Sequence, residues 1–151
     1  MTYFIDTNIL LRFLNRVDPN YPSIRTAVRI LKIRGDEIVT ASQNLAEFWN
    51  VLTRPATARG GYGFSVQDAA YRLQFIERNF PVLPDIPAVF FEWKRLLLAH
   101  NVTGVQVHDA RIVALMKVHG VTRILTLNQK DFARYQGITA INPPQIISGQ
   151  I

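Results

Sequence analysis

The sequence predicts an α/β protein, a three-layer α/β/α sandwich around a short, mainly parallel sheet of four to five strands. Short apolar segments alternate with longer amphipathic ones, which is the pattern of parallel strands joined by helices. The chain has 151 residues, of which 48% are apolar, enough for a substantial core. No repeat, linker or low-complexity segment interrupts it, so residues 1–151 are expected to form a single domain.

Five short apolar segments predict the strands. Each contains three to five residues rich in Val, Ile, Phe or Thr, and most end close to a polar residue or a glycine that marks a turn. Such short, apolar strands are typical of a sheet that is covered on both faces. In chain order, the strands are expected over residues 3–5, 37–41, 80–83, 123–126 and 137–141.

The segments between the strands predict helices, because their apolar residues recur every three or four positions. Ser42 is expected to cap the third helix, and Ser65 begins a capping-box pattern with Asp68 in the usual Glu position. Pro143 and Pro144 indicate an extended carboxyl-terminal end. The helices are expected over residues 8–14, 18–34, 42–54, 65–76, 87–100, 109–119 and 128–132.

The charge balance favours a polyanionic partner. Seventeen Lys and Arg against eleven Asp and Glu give a net charge of +6. This level of basicity is suggestive of nucleic acid without identifying it. The amino terminus lacks a basic leader, and its apolar stretch is too short for a signal sequence or a membrane span, so a cytoplasmic protein with no membrane partner is expected.

The residue types restrict the metal sites that the chain can build. It contains no cysteine, which excludes disulfides and thiolate metal sites. Only His100, His108 and His119 could supply nitrogen ligands. Any metal is therefore expected to be held mainly by oxygen atoms.

Polar residues are predicted at one edge of the sheet. Asp6 directly follows the first strand, Glu47 lies early in the helix after the second, and Asp109 lies early in the helix before the fourth. Asn128 and Asp131 follow the fourth strand. Ligands of parallel α/β sheets bind outside the carboxyl ends of the strands, so this edge is the expected functional site.

Each of these residues also has a purely structural explanation. Asp6 and Asn128 could cap helices, Glu47 and Asp109 could be early-helix acids favoured by the helix dipole, and Asp131 could be a surface acid. Several carboxylates that converge from separate segments repel one another and require a cation or protonation. Carboxylate oxygens suit Mg²⁺ or Mn²⁺, so convergence would favour a metal site.

Four blocks of sequence carry a family resemblance. They are FIDTNILL at the start, SQNLAEFWNVL around Glu47, VHDARIVALMKVHG around Asp109, and ILTLNQKDF near the end. Through their order, spacing and flanking apolar residues, the whole chain resembles a PIN-domain ribonuclease of the VapC toxin type. The resemblance implies a PIN-like α/β sandwich, dependence on Mg²⁺ or Mn²⁺, and cleavage of single-stranded RNA by the toxin of a toxin–antitoxin pair.

The resemblance also implies roles for individual residues. Asp6, Glu47 and Asp109 would form the acidic metal site, with Asp6 and Asp109 as principal ligands. Asn128 occupies the family's fourth acidic position and completes the implied catalytic residues. Its amide supplies no charge, which is a departure from the family pattern. Asp131, one helical turn further on, could compensate, or it could be an ordinary surface acid.

Neighbouring residues are expected to support this site. Asn8 and Thr126 would hold the carboxylates in place. His108 adjoins Asp109 in sequence but points elsewhere on a helix, so a packing or surface role is expected. RNA contacts are predicted at Arg12 and Arg16, one helical turn apart, and at Arg54 and Arg59, which flank a glycine-bearing loop with Tyr62 and Phe64.

The resemblance implies two protein partners, an antitoxin whose carboxyl-terminal segment covers the site and a second copy in a homodimer. Leu10, Leu14, Ile24 and Leu31 could serve such an interface, although core packing is the commoner use of such residues.

Two other readings remain. A haloacid dehalogenase-type phosphatase also places Asp after its first strand, but it needs a second Asp where this chain has Asn8. A catalytically weak or inactive RNA-binding module of the same fold is the stronger rival, because a fold does not guarantee activity.

Overall fold

A five-stranded parallel sheet organises the protein. The computed structural model describes residues 1–150. The spatial order of the strands is β3-β2-β1-β4-β5, and every neighbouring pair is parallel. The strands are β1 (Thr2–Ile5), β2 (Glu37–Ala41), β3 (Val82–Leu83), β4 (Arg123–Leu125) and β5 (Thr139–Ile141).

Within residues 1–150, eight helices connect and cover these strands. Five of them belong to the layer on one face of the sheet, and three contribute to the layer on the other. They are α1 (Thr7–Phe13), α2 (Tyr21–Ile33), α3 (Ser42–Thr53), α4 (Val66–Asn79), α5 (Pro87–Ala99), α6 (Gln106–Val118), α7 (Gln129–Phe132) and α8 (Pro143–Ser148).

The alternation of side chains along β1 separates two hydrophobic cores. Tyr3 and Ile5 pack with apolar residues of α1, α2, α3, α4 and α8. Phe4, between them, points to the opposite face and packs with residues of α5, α6 and α7. Successive residues of a strand face opposite sides of a sheet, so one buried strand serves both cores. The predicted three-layer α/β/α sandwich is confirmed, with all strand pairs of the described residues parallel.

The carboxyl-terminal end differs from the extended tail predicted. Residues Pro143–Ser148 form α8, which packs against α2. The Asn142 side chain accepts a hydrogen bond from the Gln145 amide, while the Gln145 side chain accepts one from the Asn142 amide. This capping box starts a helix, and prolines fit its first turn because the backbone amides there need no helical partner. The two prolines therefore mark a helix start.

Two smaller expectations also need correction. Ser42 was expected to cap α3, but Ala41 holds the N-cap position and Ser42 is already the first helical residue. Ala41 ends β2 and is buried, so the strand passes directly into the helix without a polar cap. The third strand spans only Val82–Leu83. The Phe80 amide instead donates to Ile76 and closes α4.

The proposed interface residues are in the core. Leu10, Ile24 and Leu31 are fully buried, and Leu14 is half-buried against the same cluster. Leu10, Ile24 and Leu31 are therefore unavailable to a partner in this structure, because they lie on the inner faces of α1 and α2. Leu14 follows the last residue of α1 and lines a surface groove. None of the helices in residues 1–150 has the length and apolar character needed to cross a bilayer.

Candidate metal centre

The carboxyl ends of β1 and β4 place Asp6 beside Thr126. The Asp6 amide donates to the Leu125 carbonyl at 3.0 Å, which continues the sheet by one residue beyond β1. Asp6 then becomes the N-cap of α1, and its Oδ1 accepts from the Thr7 amide at 2.7 Å. Asp6 therefore both caps α1 and lies at the carboxyl edge of the sheet.

Asp6 is held by two further hydrogen bonds. Its Oδ2 accepts one hydrogen bond from the Thr126 hydroxyl at 2.6 Å and one from the Asn8 side-chain Nδ2 at 2.8 Å. Asn8 also accepts from the Leu127 amide through Oδ1, so it ties α1 to the segment after β4. These contacts match the positions predicted for Asn8 and Thr126. Asp6 is only 9% exposed, and its orientation is fixed by groups on two separate segments.

Glu47 approaches the same place from α3. Its Oε2 accepts from the Thr7 hydroxyl at 2.8 Å, and its Oε1 accepts from Gln43 Nε2 at 3.1 Å. The Thr7 hydroxyl in turn accepts from the buried Asn44 side chain at 3.1 Å. Both oxygens of the carboxylate are thus oriented by protein groups before any ligand binds.

The remaining predicted acids complete a hollow of about 340 Å³. Asp109 enters it from the first turn of α6, and Asn128 and Asp131 enter it from the start of α7. The Asn128 side chain makes no cap hydrogen bond, while its backbone amide donates to the Thr126 hydroxyl at 3.0 Å. All four acids, together with Asn128, therefore face one space at the carboxyl edge of the sheet.

Burial and mutual repulsion perturb two of the acids. Burial is the largest influence on Asp6 and raises its pKa to about 6, against the lowering effect of the hydrogen bonds from Thr126 and Thr7. Burial also raises the pKa of Asp109 to about 6, and the nearby charges of Asp131, Asp6 and Glu47 act in the same direction. A raised pKa shows that the ionised carboxylates are destabilised by burial and by one another. A bound cation would offset this repulsion, so the hollow favours cation binding.

The donor set fits a hard cation that retains water ligands. Within residues 1–150, no three Asp, Glu or His side chains are arranged to enclose one metal ion. Mg²⁺ is commonly bound through one or two carboxylates, with water and substrate phosphate filling its other positions. Asp6 and Asp109 can supply such ligands, and Glu47, Asn128 and Asp131 can contact the water shell.

The predicted RNA-contact arginines divide into two groups. Arg12 and Arg54 line the acidic hollow. Arg12 is fixed by the Asn8 carbonyl and by an ion pair with Asp18, with Nε 3.3 Å from Asp18 Oδ2. Arg59 is exposed, does not line the hollow, and accepts a hydrogen bond from Arg54 through its carbonyl.

Arg16 was predicted to lie one helical turn after Arg12 on the same helix, and this spacing is wrong, while its predicted contact with RNA stays a prediction. Helix α1 ends at Phe13, so the chain leaves the helical path before Arg16. The exposed Arg16 side chain lines a separate groove with residues of α2 and α4. His108 is exposed beside the site, as expected for a surface residue.

Sequence reasoning missed Thr7, Gln43 and Asn44, which orient Glu47. Gln43 was detectable, because residues four apart on a helix are neighbours and Gln43 precedes Glu47 by four. Thr7 lies in the quoted segment FIDTNILL, but nothing in its sequence context distinguishes it from a helix-start threonine. Its hydrogen bond to Glu47 joins residues 40 positions apart.

Asp109→Asn is expected to stabilise the metal-free protein at neutral pH. The raised pKa of Asp109 means that the folded state holds this proton more tightly than the unfolded chain does. Asp109 therefore lowers stability as the pH rises from about 4 to about 6, and the deficit persists above that range. After solvent screening of this half-buried group, the gain is expected to be about 1 kcal/mol, or about 2–4 °C in Tm.

Thermal unfolding in EDTA at pH 7.5 and pH 4 measures this effect. The difference between wild type and Asp109→Asn should shrink at pH 4, where the wild-type carboxyl is protonated in the folded state. Glu77→Gln, which neutralises an exposed acid on α4, serves as control. A lower Tm for Asp109→Asn than for wild type at pH 7.5 would contradict the assigned repulsion.

Comparison with known proteins agrees with this architecture. Residues 3–138 match the sequence pattern of the PIN domain. The chain is similar to the structure of VapBC2 from Rickettsia felis bound to a promoter DNA fragment, with 18% identity and a TM-score of 0.70, over 94% of this chain and 98% of that chain. For VapBC-1 from Haemophilus influenzae, the identity is 16% and the TM-score 0.65, over 95% of this chain and 99% of that chain.

A third solved structure shares the fold. It is VapC20 from Mycobacterium tuberculosis, described as a toxin that cleaves the sarcin–ricin loop, with 18% identity and a TM-score of 0.59 over 82% of this chain and 87% of that chain. No curated protein matches the chain in sequence. Since the matching pattern spans residues 3–138 and the observed sheet and helices agree with it, the chain belongs to the PIN domain family.

Proposed function

We propose that this protein is a metal-dependent endoribonuclease that hydrolyses RNA phosphodiester bonds, and that its 151 residues form one PIN domain. The observation that carries the proposal is the convergence of Asp6, Glu47, Asp109 and Asp131 in one hollow of a PIN-family fold. Two arginines, Arg12 and Arg54, line the same hollow. The hollow therefore combines carboxylates that can bind a metal ion with arginines that can bind a phosphate, and this combination suits the hydrolysis of a phosphodiester bond.

Mg²⁺ or Mn²⁺ is the proposed cofactor. Asp6 and Asp109 would hold it, with Glu47 as a further ligand directly or through water. When bound, the ion would polarise an attacking water and offset the negative charge of the phosphate. Asp6 and Asp109 must lose their protons to bind a cation, so their raised pKa values of about 6 predict weak binding below that pH.

The protein groups position these carboxylates and the substrate. Thr126 and Asn8 hold Asp6 through Oδ2, while Thr7 and Gln43 hold Glu47 through its two oxygens. Arg12 and Arg54, on the wall of the hollow, are placed to contact a phosphate. Asn128 can orient water through its amide without adding charge, and Asp131 supplies the carboxylate that Asn128 lacks at that side of the hollow.

We also propose that the protein is the toxin of a toxin–antitoxin pair and acts in the cytoplasm. The support is its structural similarity to VapBC structures from two bacteria and to a toxin that cleaves the sarcin–ricin loop. A cognate antitoxin would then be its protein partner. A homodimer is proposed as well, with exposed apolar side chains Phe90, Phe91 and Leu98 of α5 available for contact.

The alternative is a catalytically weak or inactive RNA-binding module. Asn128 in place of an acid favours it, as does the lack, among residues 1–150, of three acids arranged around one ion. The deciding experiment incubates purified protein with total RNA in Mg²⁺, in Mn²⁺ and in EDTA, and then sequences the RNA ends. New ends that depend on a divalent ion support the nuclease, whereas RNA binding without new ends in any ion supports the alternative.

A further inference from the structure

A basic groove lies beyond the acidic hollow, between α2 and α4. One part has a volume of about 620 Å³ and includes Arg25, Arg29 and Lys32 in its lining. An adjoining part of about 500 Å³ shares Phe13, Arg25 and Phe75 with it. The second part adds two cations and two aromatic side chains, Arg16, Arg72, Tyr21 and Tyr71.

Among residues 1–150, the cations of the basic groove form no ion pair with an acid. No Asp or Glu among residues 1–150 lines either part. Lys32 donates a hydrogen bond to the Asn79 side-chain oxygen, and Arg72 donates one to the Asp68 backbone carbonyl. Unpaired like charges concentrated in a concave surface raise the local potential and attract a polyanion.

Aromatic rings are interleaved with these cations. The Arg25 guanidinium lies 4.4 Å from the centre of the Phe13 ring, and the Arg72 guanidinium lies 4.0 Å from that of Phe64. Tyr71 is 73% exposed, and Phe75 is 38% exposed. Grooves that bind single-stranded nucleic acid combine backbone-neutralising cations with exposed rings on which bases stack. An acidic peptide would use the cations but has no comparable use for the exposed rings.

The basic groove lies close to the acidic hollow, with a small depression between them. A small depression of about 120 Å³ shares Leu14 and Arg72 with the groove, and it shares Leu11 with the hollow. Tyr62 and Phe64 also line this depression. An RNA strand whose phosphate lies in the hollow would have to pass over Leu11, which is only 8% exposed, and this depression to reach the groove.

We propose that the basic groove, comprising Arg16, Arg25, Arg29, Lys32 and Arg72 with Tyr21, Tyr71 and Phe75, binds the single-stranded RNA that flanks the cleaved bond. This inference rests on the proposed nuclease function and deepens it, because it assigns substrate contacts well outside the metal centre. The site would bind without strict sequence preference, since phosphates and base faces are common to all nucleotides.

The test measures RNA binding without cleavage. A fluorescent oligouridine of about 12 nucleotides, within the range of single-strand binding sites, is titrated with protein in EDTA at several salt concentrations. Arg25→Gln/Arg29→Gln should weaken binding about tenfold and lower the slope of log K against log salt by about 1.4, at about 0.7 per lost phosphate contact. Arg25→Lys/Arg29→Lys should retain the slope. An oligouridine of about four nucleotides should show little dependence on the groove.

A control double variant removes two positive charges from the surface outside the basic groove. Arg34→Gln/Lys94→Gln neutralises two exposed cations outside the groove and should leave the affinity within about twofold. Equal losses in the two pairs would overturn the inference in favour of a general charge effect. Unchanged RNA affinity with lost binding of a polyglutamate peptide would overturn it in favour of an acidic polypeptide. Because EDTA prevents metal-dependent cleavage, this result stands apart from the test of nuclease activity.

A separate hydrogen-bond network supports a second inference. Gln43 Nε2 donates to Glu47 Oε1 at 3.1 Å and to the His108 carbonyl at 3.0 Å, while its Oε1 accepts from Arg111 Nη1 at 3.1 Å. Arg111 also forms an ion pair with Asp85 through Nη2. Arg111 thus fixes which end of the Gln43 amide faces Glu47, since a flipped amide would present oxygen to the carboxylate.

We infer that Gln43 and Arg111 are positioning residues for Glu47. The inference rests on the proposed metal centre, and its first readout is Mn²⁺ affinity measured by calorimetry, independent of RNA cleavage. Gln43→Leu and Arg111→Gln should weaken Mn²⁺ binding by about 10- to 100-fold, the usual effect of removing a group that orients a metal ligand. Arg111→Lys should restore part of the affinity, because it retains one donor and the charge.

The kinetic test separates positioning from substrate binding. Both variants should lower kcat for RNA and leave KM within about twofold, because Gln43 and Arg111 do not line the hollow. Arg95→Gln breaks a comparable exposed ion pair, with Glu92 on α5, and should leave both parameters unchanged. Equal Mn²⁺ affinity in wild type, Gln43→Leu and Arg111→Gln would overturn the inference, whether or not the enzyme cleaves RNA.

Discussion

Replacing Asp6 by Asn is expected to abolish metal-dependent RNA cleavage, with a loss of at least about 100-fold. Residues that only orient metal ligands typically cost 10- to 100-fold, and Asp6 is proposed to be a ligand itself. The substitution keeps the size of the side chain and one oxygen that can accept from the Thr7 amide. It removes the charge that attracts the cation.

The folded state of this variant can be checked directly. Burial opposes the ionised form of Asp6, so its neutral replacement avoids a desolvation penalty and should not unfold the protein at neutral pH. Mn²⁺ should raise the Tm of wild type as binding stabilises the folded state, and this rise should be much smaller in Asp6→Asn. Similar rises in both proteins would mean that the ion binds elsewhere.

The cleavage assay pairs Asp6→Asn with Glu77→Gln, which also converts one acid to its amide. Glu77 is exposed on α4 and does not line the hollow. Initial rates are measured in Mn²⁺ on a single-stranded RNA that wild type cleaves. Loss of activity in Asp6→Asn alone supports the metal centre. Undiminished activity in Asp6→Asn would exclude Asp6 as a required ligand.

Thr126→Val is expected to lower both activity and stability. The Thr126 hydroxyl is fully buried, donates to Asp6 Oδ2 at 2.6 Å, and accepts from the Asn128 amide and the Asn8 side chain. Valine preserves the shape of the residue but cannot form these hydrogen bonds, so Asp6, Asn8 and the Asn128 amide each lose a hydrogen-bond partner. We expect a cost of about 1–3 kcal/mol in unfolding free energy and about a 10- to 100-fold loss of Mn²⁺ affinity.

The same substitution should change the pH dependence. The hydrogen bond from Thr126 favours the ionised form of Asp6, so its loss should raise the pKa of Asp6 above about 6. The acid limb of the rate profile should then move to higher pH, because Asp6 must be ionised to bind the cation. Rates measured between pH 5 and pH 9 at one subsaturating Mn²⁺ concentration would show this movement.

Thr40 provides a control of matched chemistry. Its side chain is also fully buried, on β2, but its hydroxyl has no hydrogen-bond partner in the described structure. Thr40→Val should therefore leave activity unchanged and stability equal or slightly higher. Thr126→Ser, which retains the hydroxyl, should recover most of the lost affinity. Equal effects of Thr126→Val and Thr40→Val would show that the contact with Asp6 is unimportant.

Local patterns predicted most of the fold. Residues 37–41 form the predicted strand because an apolar, β-branched segment buried on both faces leaves little alternative. Ser65 caps α4 through the Asp68 amide, as its capping-box pattern indicated. The prediction for the end of the chain was wrong because Pro143 and Pro144 are compatible with either an extended segment or a first helical turn. The reciprocal bonds between Asn142 and Gln145 decide between these alternatives.

The candidate site was predictable to the level of its acids. Asp6, Asp109 and Asp131 meet because they follow or precede strands whose carboxyl ends share one edge, and the order of strands and helices in the sequence predicts this arrangement. The role of Arg111 was not predictable from the sequence, because it depends on a contact with Gln43, 68 positions away on α3. Arg16 was misplaced because the end of α1 at Phe13 redirected the following residues.

By itself, the sequence determined the alternation of strands and helices, the two-sided burial of β1, and the acids that terminate strands, since each is recorded in residues near one another in the chain. The tertiary structure alone decided the strand order, the network that orients Glu47, and the position of the basic groove beside the acidic hollow. These features arise where distant segments pack together, and the free energy of such contacts depends on three-dimensional shape rather than on local periodicity.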